Sequence, residues 1–159
     1  MRYFAIILLF VFGSNSAADE GEYDLSPLCD QLYKISTSAL MYKENGMTKE
    51  ELLAPLPDLA TLLVMPFSKK KILAQNMHRI ADEIYNFDGL EMRSYSAYTA
   101  ESCHRGLKNL SVPESFEEAY PKLLKCNEIE SSDERINCGM AVSGSIVERG
   151  KNAPNKQIR

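Results

Sequence analysis

Four cysteines, Cys29, Cys103, Cys126 and Cys138, constrain this chain more than any other feature, because what they do depends on where the chain folds. The N-terminus answers that question. Met1-Arg2, the apolar run Tyr3 to Phe12 and the small residues Ser16-Ala17-Ala18 before Asp19-Glu20 have the basic start, apolar centre and cleavage pattern of a secretory signal peptide. Residues 1–18 are therefore predicted to be a removable leader. Its apolar centre is shorter than the roughly 20 residues that span a bilayer. The next apolar run, Leu62 to Phe67, is shorter still, so no stable membrane anchor is expected. An even number of cysteines in an exported chain predicts two disulfides. Of the three connectivities, Cys29 with Cys103 and Cys126 with Cys138 is favoured, because the second pair falls on adjacent predicted helices joined by a short polar link. A zinc site is the weaker reading, with no Cys-x-x-Cys spacing and only two histidines.

Removal of the leader leaves a length suited to one domain, predicted over residues 19–148, with a flexible basic tail over 149–159. Arg2 leaves with the leader, and Arg149, Lys151, Lys156 and Arg159 lie in the tail. Residues 19–148 then hold 13 basic against 22 acidic side chains. A nucleic-acid binder would show a basic face, and only Lys69-Lys70-Lys71 approaches one, so no nucleic-acid partner is expected.

Apolar periodicity predicts helices throughout. Ser26-Pro27 reads as a cap followed by a first-turn proline, and Leu28, Leu32, Ile35, Ala39 and Tyr42 form a stripe that Asn45-Gly46 ends. Thr48-Lys49-Glu50-Glu51 is a capping box for a short helix stopped by Pro55 and Pro57. Asp58 caps another turn or two until Pro66. The run Leu62 to Phe67 reads as core, with an exposed partner patch as the alternative. Leu73, Met77, Ile80, Ile84 and Phe87 give the strongest helical pattern, ended by Asp88-Gly89 and opened by three lysines that oppose the helix dipole. Met92, Tyr95, Thr99 and Cys103 mark a helix to about Gly106, with Tyr95 and Tyr98 at the edge of a core. Ser115-Phe116-Glu117-Glu118 offers a second capping box, and Pro121 is expected to kink or reset that helix. A last helix opens at Ser131, with Ile136, Met140, Ser143 and Val147 on one face and Gly150 beyond its end. Gly139 and Ser143, one turn apart, leave room for a close neighbour. With no alternating strand pattern, the fold class is all-α, a bundle of five or six helices stapled by two disulfides.

The residues that could carry chemistry are sparse. Glu101 and His104 share a helical face, as do His78 and Asp82, but neither pair has a third ligand, and such spacings are ordinary surface pairs. Cys103-His104 is a poor nucleophile pair, since adjacent helical residues do not face each other. No phosphate loop or nucleophile motif is present. No catalytic residue, metal or cofactor is therefore expected. Asn109-Leu110-Ser111 is a glycosylation sequon, relevant only in a eukaryote. Glu128, Glu130, Asp133 and Glu134, between Cys126 and Cys138, are the candidate partner-binding surface, able to steer a basic protein, with a solvated helix start as the plainer reading. Tyr95, Tyr98, Met77 and Phe87 are a second candidate, the lining of a ligand cavity between helices.

Two resemblances bear on function. Cys29, Ala39, Met41, Lys43, Gly46, Thr48, Glu51 and Leu52, followed by Tyr85 and Cys103, resemble small helical periplasmic proteins of Gram-negative bacteria, over about half the mature chain. Leu123-Leu124 with Cys126, then Cys138 and Gly144, is similar to the cysteine-bearing segment of periplasmic immunity proteins against amidase toxins of type VI secretion, over fewer than thirty residues. That family tends to carry Gly-Tyr after its second cysteine, where this chain has Met140-Ala141. The first resemblance implies a disulfide-linked bundle and no known activity. Export, two predicted disulfides, an anionic body, the missing catalytic groups and the second resemblance together point to a periplasmic, or otherwise secreted, protein that binds another protein such as a basic secreted effector or enzyme, as an immunity protein or inhibitor. A small-ligand carrier or a structural periplasmic protein is the alternative, and a homodimer is compatible with either.

Overall fold

A computed structural model describes residues 24–144. The expected leader over 1–18, the basic tail over 149–159, Val147 and Gly150 lie outside the described residues. Among the described residues there are seven helices and no strand: α1 (Ser26–Glu44), α2 (Lys49–Leu53), α3 (Leu59–Val64), α4 (Lys69–Asn86), α5 (Met92–Leu107), α6 (Phe116–Cys126) and α7 (Ser132–Gly144). Five are long and two are little more than a turn, which is the all-α bundle expected.

Local signals explain most boundaries. The Thr48 capping box forms, with Glu51 N–H donating to Thr48 Oγ1 (3.2 Å) and Thr48 N–H to Glu51 Oε2 (2.8 Å). Asp58 accepts the Thr61 N–H at 2.6 Å and caps α3. Gly46 and Gly89 take φ of +85° and +73°, the left-handed geometry that ends α1 and turns the chain after α4. Two caps differ from expectation. Leu25, not Ser26, is the N-cap of α1, and Asp24 Oδ1 takes the Ser26 N–H instead (2.9 Å). Ser115 caps α6 without a side-chain hydrogen bond, so the second capping box is absent, and α6 runs on through Pro121. Helix α4 begins at Lys69 although its first lysines oppose the dipole: Ser68 Oγ accepts the Lys71 N–H, and Lys71 Nζ reaches back to Met65 O at 2.7 Å, satisfying a carbonyl at the end of α3.

The long helices pack in the order α7, α5, α1, α4, with α6 against α7 and α5, and with α2 and α3 laid on α4. Helix α5 is central, and every residue from Ser94 to Thr99 is buried. Its weak apolar stripe has this cause, since a helix covered by α1 and α7 needs small residues on both sides rather than one greasy face. The small hydroxyls are satisfied locally: Ser96 Oγ lies 2.9 Å from Thr37 Oγ1 of α1, and Thr99 donates to Tyr95 O. Tyr95 and Tyr98 therefore sit inside the core, not at its edge. Leu32, Ile80 and Ile84 are also fully buried and stabilise the fold by about 1.5–3 kcal/mol each.

Helix α7 buries Gly139, Val142 and Ser143: Ser143 lies inward as expected, but Met140 is exposed and Val142 is buried instead, so the inward face is rotated from the one expected through Ile136, Met140 and Ser143. The close approach at Gly139 is present: a Cβ there would lie 2.0 Å from Ser94 O. Both disulfides have the expected pairing. Cys29–Cys103 joins the start of α1 to the end of α5, and Cys126–Cys138 joins the last residue of α6 to α7, with Cα separations of 5.4 and 5.7 Å.

The run Leu62 to Phe67 is not core. Leu62 alone is buried, while Leu63, Val64 and Phe67 are 78 %, 84 % and 71 % exposed. Helix α3 is too short to present its apolar side chains to more than the one helix beneath it, so its outer face stays in water.

Candidate functional site

The segment between Cys126 and Cys138 carries one cation, Arg135, against Glu128, Glu130, Asp133 and Glu134. All four acids are exposed, and none has an ion-pair partner among the described residues. Arg135 is turned inward and braces the backbone. Its guanidinium donates to Ile129 O (3.0 and 2.6 Å) and to Glu91 Oε1 (3.1 Å). The other Glu91 oxygen accepts the Arg93 and Ser94 N–H groups, both at 2.9 Å, and so caps α5. Asn127 Nδ2 donates to Gly89 O at 2.6 Å, and Arg93 bonds Ser132. The sole cation of the segment is thus spent on holding its shape, and the carboxylates are left facing water, Glu128 and Glu130 on the link after α6 and Asp133 and Glu134 in the first turn of α7, where they also favour the helix dipole.

A second cluster lies in the core. Glu83 of α4 is buried, accepts from Arg79 Nη1 at 2.7 Å and from the Tyr95 hydroxyl at 2.7 Å, and so bridges α4 to α5. Burial pushes the Glu83 carboxyl above the usual carboxylate range, and Arg79 limits that rise. Burial likewise pushes the Tyr98 hydroxyl up to about 12, with the Glu83 charge adding to it. Glu83 shares a depression with Ser102, Glu114 and Ser115, and its two hydrogen bonds make it a bridge between α4 and α5. Sequence held a signal for it, because position 83 falls inside the Ile80, Ile84 and Phe87 stripe.

The linkage has a defined sign. A carboxyl whose folded pKa is raised contributes most below its unfolded value, near 4.5, and that contribution is lost as pH rises through the raised folded value. Glu83→Gln keeps an acceptor for Tyr95 and removes the buried charge, while Arg79 can turn to solvent. Urea titrations should show the variant gaining on the wild type as pH rises from 4 to 7.5. Tyr95→Phe should cost about 1.5–3 kcal/mol at neutral pH. A pH-independent difference between Glu83→Gln and wild type would contradict this reading.

The other expected groupings separate. His78 Nε2 faces Pro57 O at 2.8 Å, while Asp82 pairs with Lys49 at 2.6 Å, and His104 lies 3.3 Å from Asp30. Cys103 is a disulfide sulfur, which removes the thiol nucleophile. The proposed cavity lining does not assemble. Tyr95 is bonded to Glu83, and Phe87 packs on Phe116 and Tyr120 with ring centroids 4.9 and 4.8 Å apart. Tyr98 and Met77 open onto different depressions.

Met77 belongs to an apolar groove of about 610 Å³ between α1 and α4, beneath the Pro55–Pro57 turn and Met65. Nothing in the sequence marked it, since it depends on where two helix faces leave space. No group of three or more potential metal ligands occurs among the described residues, and no helix there is long and apolar enough to cross a membrane. The chain matches no protein-family model, no curated protein and no solved structure.

Proposed function

We propose that this is an exported, non-catalytic protein that acts by binding another protein, a basic secreted effector or enzyme, in the manner of a periplasmic immunity protein or inhibitor. The observation that carries this reading is the acidic segment, hereafter the acidic loop, that runs from the α6–α7 link into the first turn of α7: four exposed carboxylates with no ion-pair partner among the described residues, closed by Cys126–Cys138 and braced by Arg135. A preformed loop loses little conformational entropy on binding, which lowers the cost of association. Its unscreened charge accelerates encounter with a cationic surface more than it deepens the final affinity. Met140 of α7, 41 % exposed, supplies an apolar side chain in the same region. The uncovered face of α3 supports the same class of function, because apolar patches rimmed by polar residues commonly mark protein contacts. Two intramolecular disulfides fit an oxidising compartment.

The test is affinity capture from the secreted and periplasmic fractions of competing strains, followed by association kinetics with the captured protein. Glu130→Lys with Asp133→Lys should slow association at least tenfold at low ionic strength, and the difference should shrink toward 1 M salt, where the Debye length is about 3 Å. A captured partner that binds the double variant at the wild-type rate would contradict the assignment. Undiminished growth of a deletion strain beside toxin-armed neighbours would contradict the immunity role.

A further inference from the structure

We propose that the groove between α1 and α4 binds the hydrocarbon chain of a fatty acid, with the carboxylate held at the mouth by Lys34 and Lys70. This inference is independent of the acidic loop and of any protein partner it recruits.

The floor comes from both helices. Ile35 and Ala39 of α1 face Leu73, Ala74 and Met77 of α4, and Leu52 of α2 closes one side. Ala39 and Ala74 are small residues on the two facing helices, which leaves room between α1 and α4 at this level. The roof is the turn Pro55-Leu56-Pro57 with Met65. Its two prolines carry no N–H, so they direct no backbone donor into the space. The roof is held open from outside. His78 Nε2 bonds Pro57 O at 2.8 Å, Lys71 Nζ bonds Met65 O at 2.7 Å, and Lys49 pairs with Asp82 to fix α2 on α4. The groove is therefore preformed, within the 300–1,000 Å³ range of small-molecule sites.

The chemistry of the lining selects the occupant. Water gains few hydrogen bonds against these walls, and a sugar, nucleotide or metal ion would find almost no polar partners. Only Ser38, Tyr42 and the two lysines offer any. Both charged lining groups are positive, in a body with an excess of acids. Neither Lys34 nor Lys70 has an ion pair among the described residues. An apolar groove whose two charged lining groups are both ammonium groups without an ion pair among the described residues complements a single-chain amphiphile with an anionic head.

The experiment is calorimetric titration of the full mature chain with straight-chain carboxylates of eight to fourteen carbons, each below its micelle concentration. Affinity should tighten about two- to fourfold per added methylene until the groove is filled. Alkyl trimethylammonium ions of equal length should bind at least tenfold more weakly. Lys34→Glu with Lys70→Glu, both at exposed positions, should reverse that head-group preference without changing the circular dichroism spectrum. Ser38→Phe, which fills the groove from α1, should abolish binding of both head classes. Affinity independent of chain length, or a head-group preference unchanged by the double reversal, would overturn the proposal. So would a concentration-dependent dimer that Ser38→Phe dissolves, since a second copy would then be the occupant.

Discussion

Gly139→Ala is expected to destabilise the protein by about 3 kcal/mol, whereas Gly106→Ala should stabilise it by up to about 1 kcal/mol. Both glycines are helical, and in each the methyl group recovers the same backbone entropy that glycine forfeits. The environments set opposite signs. At Gly106 a Cβ meets nothing within 4 Å. At Gly139 it would lie 2.0 Å from Ser94 O, 2.7 Å from Ser94 C and 2.8 Å from Ser94 Cα. Those atoms are backbone of the central helix, buried on both sides, so no side chain can swing away. Helices α5 and α7 must separate, and the separation opens contacts around Val142 and Ser143 as well. Denaturant midpoints of the two variants measure the contrast directly. A Gly139→Ala protein as stable as wild type would show that α7 does not pack on α5 at this distance.

The second large effect concerns the staples. Converting Cys29 and Cys103 to alanine should cost about 4.5 kcal/mol on the loop-entropy model, and converting Cys126 and Cys138 about 3 kcal/mol. The order follows from sequence separations of 74 and 12 residues. For a domain of this size the first loss corresponds to a fall in Tm of roughly 15 °C. The fold should survive it, because α1 also packs on α5 and α4 through Leu32, Leu40 and their neighbours. The short staple matters in a different place. Its removal should loosen the acidic loop more than the bundle, so amide exchange in residues 127–137 should rise while α1 and α4 keep their protection. Equal losses from both double variants would mean that the unfolded chain retains structure around the longer closure.

What was legible in the sequence was local. The Thr48 capping box, the Asp58 cap, Gly46 and Gly89 each depend on residues within four positions, and each is present. The α4 stripe was legible because a single buried face repeats without interruption. The cysteine pairing was legible because two of the four sit on helices joined by a short link. What failed required knowing the neighbours. Leu63, Val64 and Phe67 carry the composition of core, yet no element covers them. Helix α5 shows a weak stripe because it is buried on two sides, and amphipathicity measures only one-sided burial. Met140 and Val142 are both apolar, and the close contact at Gly139 fixes the rotation of α7 that turns Val142 inward. Among site residues, Glu128, Glu130, Asp133 and Glu134 are placed together on the surface as expected, but the brace from Arg135 through Glu91 joins segments more than forty residues apart and left no pattern to read.

Non-reducing peptide mapping of the protein recovered from its host, cytosol and secreted fractions separately, tests the central claim most directly: a helical body locked by two bridges, presenting a fixed surface. The account predicts a mature chain that has lost residues 1–18, with Cys29 linked to Cys103, Cys126 linked to Cys138 and no free thiol. Four unmodified thiols, an intact leader on cytosolic protein, or a linkage between Cys29 and either Cys126 or Cys138 would contradict it.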